Sequence, residues 1–116
     1  MTRYVSKPAE CEAMQWAALP NSPEHGLLAS ASQIVAWVNA NGGEARYENS
    51  PSPSWPENCI AVRTINGWAY AAPGHYIVMG EASFVYDREG WAGGTRCRAF
   101  DVRDPKIFES HWEAAP

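Results

Sequence analysis

The chain has 116 residues, 46% of them hydrophobic, with six tryptophans and a formal net charge of −4 at pH 7. That length fits one domain, and the hydrophobic fraction excludes a disordered chain. The negative charge argues against general nucleic-acid binding, which depends on many Lys and Arg neutralising phosphates.

A first strand is expected over roughly Glu10–Ala17, ended by Pro20 and Pro23. The clearest helix spans Ser30–Asn41. Ser30 and Gln33 match an S-x-x-Q capping box, and Ile34, Val35, Trp37 and Val38 follow at helical spacing behind Leu27 and Leu28. Gly42 and Gly43 supply its stop. A short strand is expected at Glu44–Tyr47. Asn49–Asn58 reads as a loop, because Pro51, Pro53 and Pro56 interrupt it; Trp55 sits within.

The strongest β signal is a hairpin. Cys59–Ile65 and Trp68–Ala72 flank Asn66 and Gly67, a two-residue loop pair. Pro73 and Gly74 suit a type II turn. Tyr76–Met79 is the next strand, Gly80 breaks it, and Ser83–Asp87 resumes. Gly90–Gly94 forms a tip carrying Trp91, Thr95–Val102 returns, and Pro105 opens a last helical turn through Ile107 and Phe108. The elements add up to an α+β domain. An antiparallel, strongly bent β-meander, with partial closure into a barrel as its alternative form, carries one amphipathic helix.

If Asn66 and Gly67 occupy the two central turn positions, Ile65 faces Trp68, Arg63 faces Tyr70 and Ala61 faces Ala72. Ile60, Val62, Thr64, Ala69 and Ala71 then share the opposite face, a seat for the helix. The Arg63–Trp68–Tyr70 face has two readings. Either the curled sheet or Phe108 and Trp112 cover it while Arg63 reaches to water, or it receives a ligand or a second subunit. Further along, Arg88, Arg96, Arg98 and Arg103 fall within sixteen residues, beside Tyr86 and Trp91. Arg96, Arg98 and Phe100 project to one side of a strand. Guanidinium forks and aromatic faces are what a nucleotide site uses. A charged sheet edge balanced by Asp87, Glu89, Asp101 and Asp104 is the alternative. The candidate ligand-binding set is Arg63, Trp68, Tyr70, Tyr86, Trp91, Arg96, Arg98 and Trp55.

Other chemistries lack a pattern. Cys11, Cys59 and Cys97 are scattered and odd in number, which suits free thiols in a reducing compartment. His25, His75 and His111 share no metal-ligand spacing, so no metal or cofactor is expected. No nucleophile signature and no phosphate-binding glycine loop is present, so no catalytic residue is assigned. The N-terminal segment has no apolar run of the signal-peptide type, and no stretch is long enough to span a membrane.

Three groups of residues carry a resemblance. Lys7 and Pro8 with Glu12, Ala13, Met14, Gln15 and Trp16 resemble the opening "KP…EA.QW" of a family of short tailed-phage and prophage proteins. Val62, Arg63 and Thr64, Gly67, and Ala72 to Gly80 are similar to its "T..G…..PGD.I..G". Phe100, Asp104 to Glu109, and Trp112 with Glu113 are similar to its "F…P.IFE..YE". The likeness runs through most of the chain in order. His75 departs from it, standing where Asp is common, and the stretches Asn49–Asn58 and Asp87–Gly94 are longer. The resemblance implies an accessory protein acting in the host cytoplasm, without a defined reaction.

The leading expectation is a non-enzymatic binder that sequesters a small nucleotide or an immune signalling molecule. The alternatives are a protein–protein module directed at a host enzyme or virion component, drawing on Trp and Arg as interface anchors, and a small nucleotide hydrolase. Self-association into a homo-oligomer is expected from the edge strands.

Overall fold

The structure is a computed structural model that describes residues 2–6, 9–17, 23–49, 58–87, 94–111 and 113–114. Its elements, in chain order, are β1 (Thr2–Ser6), β2 (Ala9–Gln15), α1 (Pro23–Ala40), β3 (Ala45–Glu48), β4 (Cys59–Thr64), β5 (Gly67–Ala71), β6 (Tyr76–Asp87), β7 (Gly94–Arg103), α2 (Pro105–His111) and β8 (Glu113–Ala114). The fold is α+β, and every described strand pair is antiparallel. The expected single bent sheet is instead two. One has the order β7-β6-β2-β1-β8 and the other β3-β4-β5, and no barrel closes among the described residues.

The division happens at the turn after β5. Pro73 and Gly74 occupy its centre, Gly74 takes φ +96°, and His75 N–H donates to Ala72 O at 3.1 Å. Gly74 N–H donates to Trp16 O, Trp16 N–H donates to His75 O, and Gln15 Nε2 donates to Gly74 O. These bonds tie the turn to the end of β2, so β6 pairs with β2 rather than returning along β5. His75 Nδ1 accepts from Ala72 N–H at 2.9 Å. The imidazole thus closes the turn from its far end by accepting the Ala72 N–H.

Helix α1 begins at Pro23, a residue suited to a first turn, and not at Ser30. Ser30 therefore lies mid-helix, and its Oγ accepts from Ala17 N–H at 3.4 Å. The capping-box pattern was coincidental because helix-compatible sequence continues upstream of it. The stop is as expected. Gly42 has φ +82° and Gly43 N–H donates to Val38 O at 3.0 Å, the six-to-one bond of a Schellman motif.

The hairpin register also differs from expectation. Ile65 and Asn66 form the turn, Thr64 pairs with Gly67, and Arg63 rather than Ile65 faces Trp68. Gly67 takes φ +104°, and Thr64 Oγ1 accepts from Asn66 N–H while donating to Gly67 O. The shift moves each partner by two residues. Because strand faces alternate with period two, both faces keep their membership.

Ile60, Val62 and Ala71 accordingly pack with Ala31, Ile34 and Val38 of α1, joined by Trp16, Ile77 and Phe100. Trp16 is buried and its Nε1 donates to Leu27 O at 2.8 Å. Phe108 does not cover the Arg63 face. It stacks on Tyr76 at 4.1 Å in a separate cluster with Ala13, and Asp104 caps its helix through Oδ1. Trp112 lies outside the described residues, as do the proline-rich residues 50–57.

Strand β6 runs through Gly80 instead of breaking there. The register with β7 shifts between Met79 and Ser83, a bulge. A Cβ on Gly80 would sit 2.7 Å from the backbone oxygen of Ala99. Backbone cannot yield as a side chain does, so Gly80→Ala is expected to cost about 1–3 kcal/mol. Urea denaturation checks this; an unchanged midpoint would show that the bulge tolerates a side chain.

Candidate functional site

The face of the three-stranded sheet turned away from α1 gathers the charged and aromatic residues. Arg63 on β4 lies opposite Trp68 on β5, and Arg46 on β3 lies opposite Ala61, which faces Tyr70. The small Ala61 lets the long Arg46 side chain reach across its row. The Arg46 guanidinium carbon is 4.5 Å from the Trp68 ring centroid. Arg63 is 4.5 Å from the same ring and 3.8 Å from the Tyr86 ring, which arrives from the far end of β6. Tyr86, Arg63, Trp68 and Arg46 thus form a chain of contacts alternating ring and cation, each contact worth about 0.5–2 kcal/mol.

Glu44, just before β3, anchors this ladder. Its Oε2 accepts from the Tyr86 hydroxyl and lies 3.6 Å from Arg63 Nε. Arg63 Nε is buried and makes no hydrogen bond among the described residues, so Glu44 is its counter-charge rather than its hydrogen-bond acceptor. The backbone locks the same region, with Arg63 N–H donating to Glu44 O and Arg98 N–H donating to Gly42 O.

Beside the ladder opens a cleft of about 440 Å³, lined by Glu44, Arg46, Tyr86, Thr95, Arg96 and Cys97 together with the glycine turn after α1. Its walls belong to β3 and to the β6–β7 hairpin. The Arg46 side chain is 60% exposed, and Arg96 is exposed with one Nη donating to Ser83 Oγ at 3.0 Å. Two other hollows differ. A groove of about 430 Å³ bounded by Trp16, Leu27, Leu28 and Tyr47 has no charged lining residue. One of about 260 Å³ holds Arg103, which pairs with Asp101 at 2.6 Å. Only the first of the three offers two guanidinium groups from separate strands.

Cys97 forms part of that cleft as a buried thiol, donating to Arg98 O at 3.4 Å. Burial pushes its pKa up and the Glu44 charge adds to this, while Arg63 and the Glu44 backbone N–H act the other way. Burial likewise raises Cys59 and Cys11. All three cysteines are free. The thiolate is the reactive form, so burial works against activation of each of them.

The structure thus brings Arg63, Trp68 and Tyr86 into contact and places Arg96 on the adjoining cleft. Tyr70 sits half-buried beside Trp68 on the same face. Arg98 is elsewhere: its Nε donates to Gly80 O at 2.8 Å and steadies the bulge. Trp55 and Trp91 lie outside the described residues. Sequence reasoning missed Glu44, Arg46 and Thr95. Arg46 and Glu48 alternate on a strand and carried a weak signal; nothing in the sequence connects Glu44 to Tyr86, 42 residues away.

Among the described residues no group of three metal-ligating side chains converges, and no helix is long and apolar enough to cross a membrane. Comparison with family models, curated proteins and solved structures finds no match.

Proposed function

We propose that this protein binds a small phosphorylated ligand, of the nucleotide class, in the cleft between β3 and the β6–β7 hairpin. It acts as a binder and not as a catalyst. The observation that carries this reading is the pair Arg46 and Arg96, which reach one cleft of about 440 Å³ from two strands, beside Tyr86, on a chain of net charge −4. That volume falls within the range of small-molecule sites. Guanidinium groups from two strands suit phosphate oxygens, and the lining residue Glu44 is held in place by Tyr86 and by its charge contact with Arg63, which stands behind the lining. The resemblance to short tailed-phage and prophage proteins supplies the biological setting: an accessory protein that sequesters a signalling nucleotide in the host cytoplasm.

Thermal unfolding against nucleoside mono-, di- and triphosphates and cyclic nucleotides tests the reading. A ligand at one hundred times its Kd is expected to add about 2.7 kcal/mol of stability, and Arg46→Gln or Arg96→Gln to remove most of that gain. A melting temperature unmoved by every member of the panel at millimolar concentration would overturn it.

A further inference from the structure

Arg46 is an exposed cation of the cleft whose counter-ion lies on its own strand. Arg46 and Glu48 stand two residues apart on β3, so both side chains leave the same face. Arg46 Nε donates to Glu48 Oε1, and the Arg46 side chain is 60% exposed against 19% for Glu48. The carboxylate therefore lies tucked against the strand and holds the guanidinium by its Nε side, while Trp68 supports the guanidinium plane.

We infer that Glu48 is an internal competitor for the ligand, holding the Arg46 guanidinium that an incoming phosphate group must engage. This rests on the phosphate-binding reading of the cleft. A guanidinium grips a phosphate best through two parallel N–H bonds, and one of its two kinds of fork includes Nε. Glu48 occupies that fork and sets a negative charge beside the other. An exposed ion pair is weak, so the competition adjusts affinity without closing the site. It also favours ligands of higher negative charge, which displace the carboxylate more readily than a monoanion does.

The test is calorimetric titration of ADP and of inorganic pyrophosphate into the wild-type chain, Glu48→Gln, Arg46→Gln and Glu81→Gln. Glu81 is an exposed carboxylate on β6 outside the cleft lining, so it controls for a general change of charge. Glu48→Gln is expected to tighten binding about two- to five-fold, the size of an exposed ion pair, with Glu81→Gln unchanged and Arg46→Gln weakened. Binding by Glu48→Gln where the wild-type chain is silent supports the inference equally. Equal affinities for the wild-type chain and Glu48→Gln, with loss in Arg46→Gln, overturn the competitor and leave the cleft reading standing. Equal tightening by Glu81→Gln overturns it too. No binding by any variant overturns both.

Discussion

Truncating Phe100 to alanine is expected to cost about 3–5 kcal/mol, the usual range for a large aromatic removed from a packed core. Phe100 is 2% exposed and joins the cluster formed by α1 and both sheets. Its ring meets Trp37 edge-on at 5.5 Å and 88°, an arrangement that adds to simple burial. Gly43 shows how closely the ring is held. A Cβ there would come within 2.6 Å of two Phe100 ring carbons and 2.7 Å of a Val38 methyl. Residues around the lost ring belong to different elements, so the site has little freedom to collapse, and the cavity term adds to the transfer term. Typical domains have only 5–15 kcal/mol of stability, so the variant should unfold at a much lower denaturant midpoint with an unchanged slope. A loss below about 1 kcal/mol would mean that Phe100 is not a keystone between sheet and helix.

The second large effect concerns Glu44. Glu44→Ala is expected to destabilise by about 2–3 kcal/mol, because it removes the counter-charge of a mostly buried guanidinium and the acceptor of the Tyr86 hydroxyl. A wholly buried pair would lose more; the side chains of Arg63 and Glu44 are 20% and 31% exposed, so water offsets part of the loss. Most of the effect should disappear in an Arg63→Met background, where no charge is stranded. A double-mutant cycle by chemical denaturation should therefore give a coupling of about 1–2 kcal/mol. Additive losses would show that the two residues are not partners. The cycle also separates architecture from binding. Arg63→Met keeps Arg46 and Arg96, and so should retain ligand affinity if Arg63 acts only by supporting Glu44 behind the cleft lining.

That distinction separates the two readings of the Arg63–Trp68–Tyr70 face. Tyr86 covers Arg63 from the β6–β7 hairpin of the other sheet, where the sequence suggested a single curled sheet or Phe108, and Phe108 instead stacks on Tyr76. The guanidinium of Arg63 is thereby drawn into the fold's own contacts. The two better placed for a ligand are Arg46, which drew no attention in the sequence, and Arg96, which did. Arg98 shows the opposite outcome, since its projection from β7 takes it to the Gly80 carbonyl and not to the cleft.

The sequence by itself determined what depends on neighbours close along the chain. Gly42 ends a helix because positive φ costs glycine little, and Pro73 with Gly74 makes a turn for the same kind of reason. Alternation assigned Ile60, Val62 and Ala71 to the helix-facing side, and this survived a displaced register because a two-residue slip preserves faces. Only the tertiary structure decided that β6 joins β2, that the sheet divides in two, and that Glu44 meets Tyr86 and Arg63. Those outcomes arise from bonds between segments far apart in sequence, such as Gly74 N–H to Trp16 O, whose partners leave no periodic mark on either segment. The cleft belongs with them, because a concavity is made by how strands are placed against each other and not by the residues any one of them carries.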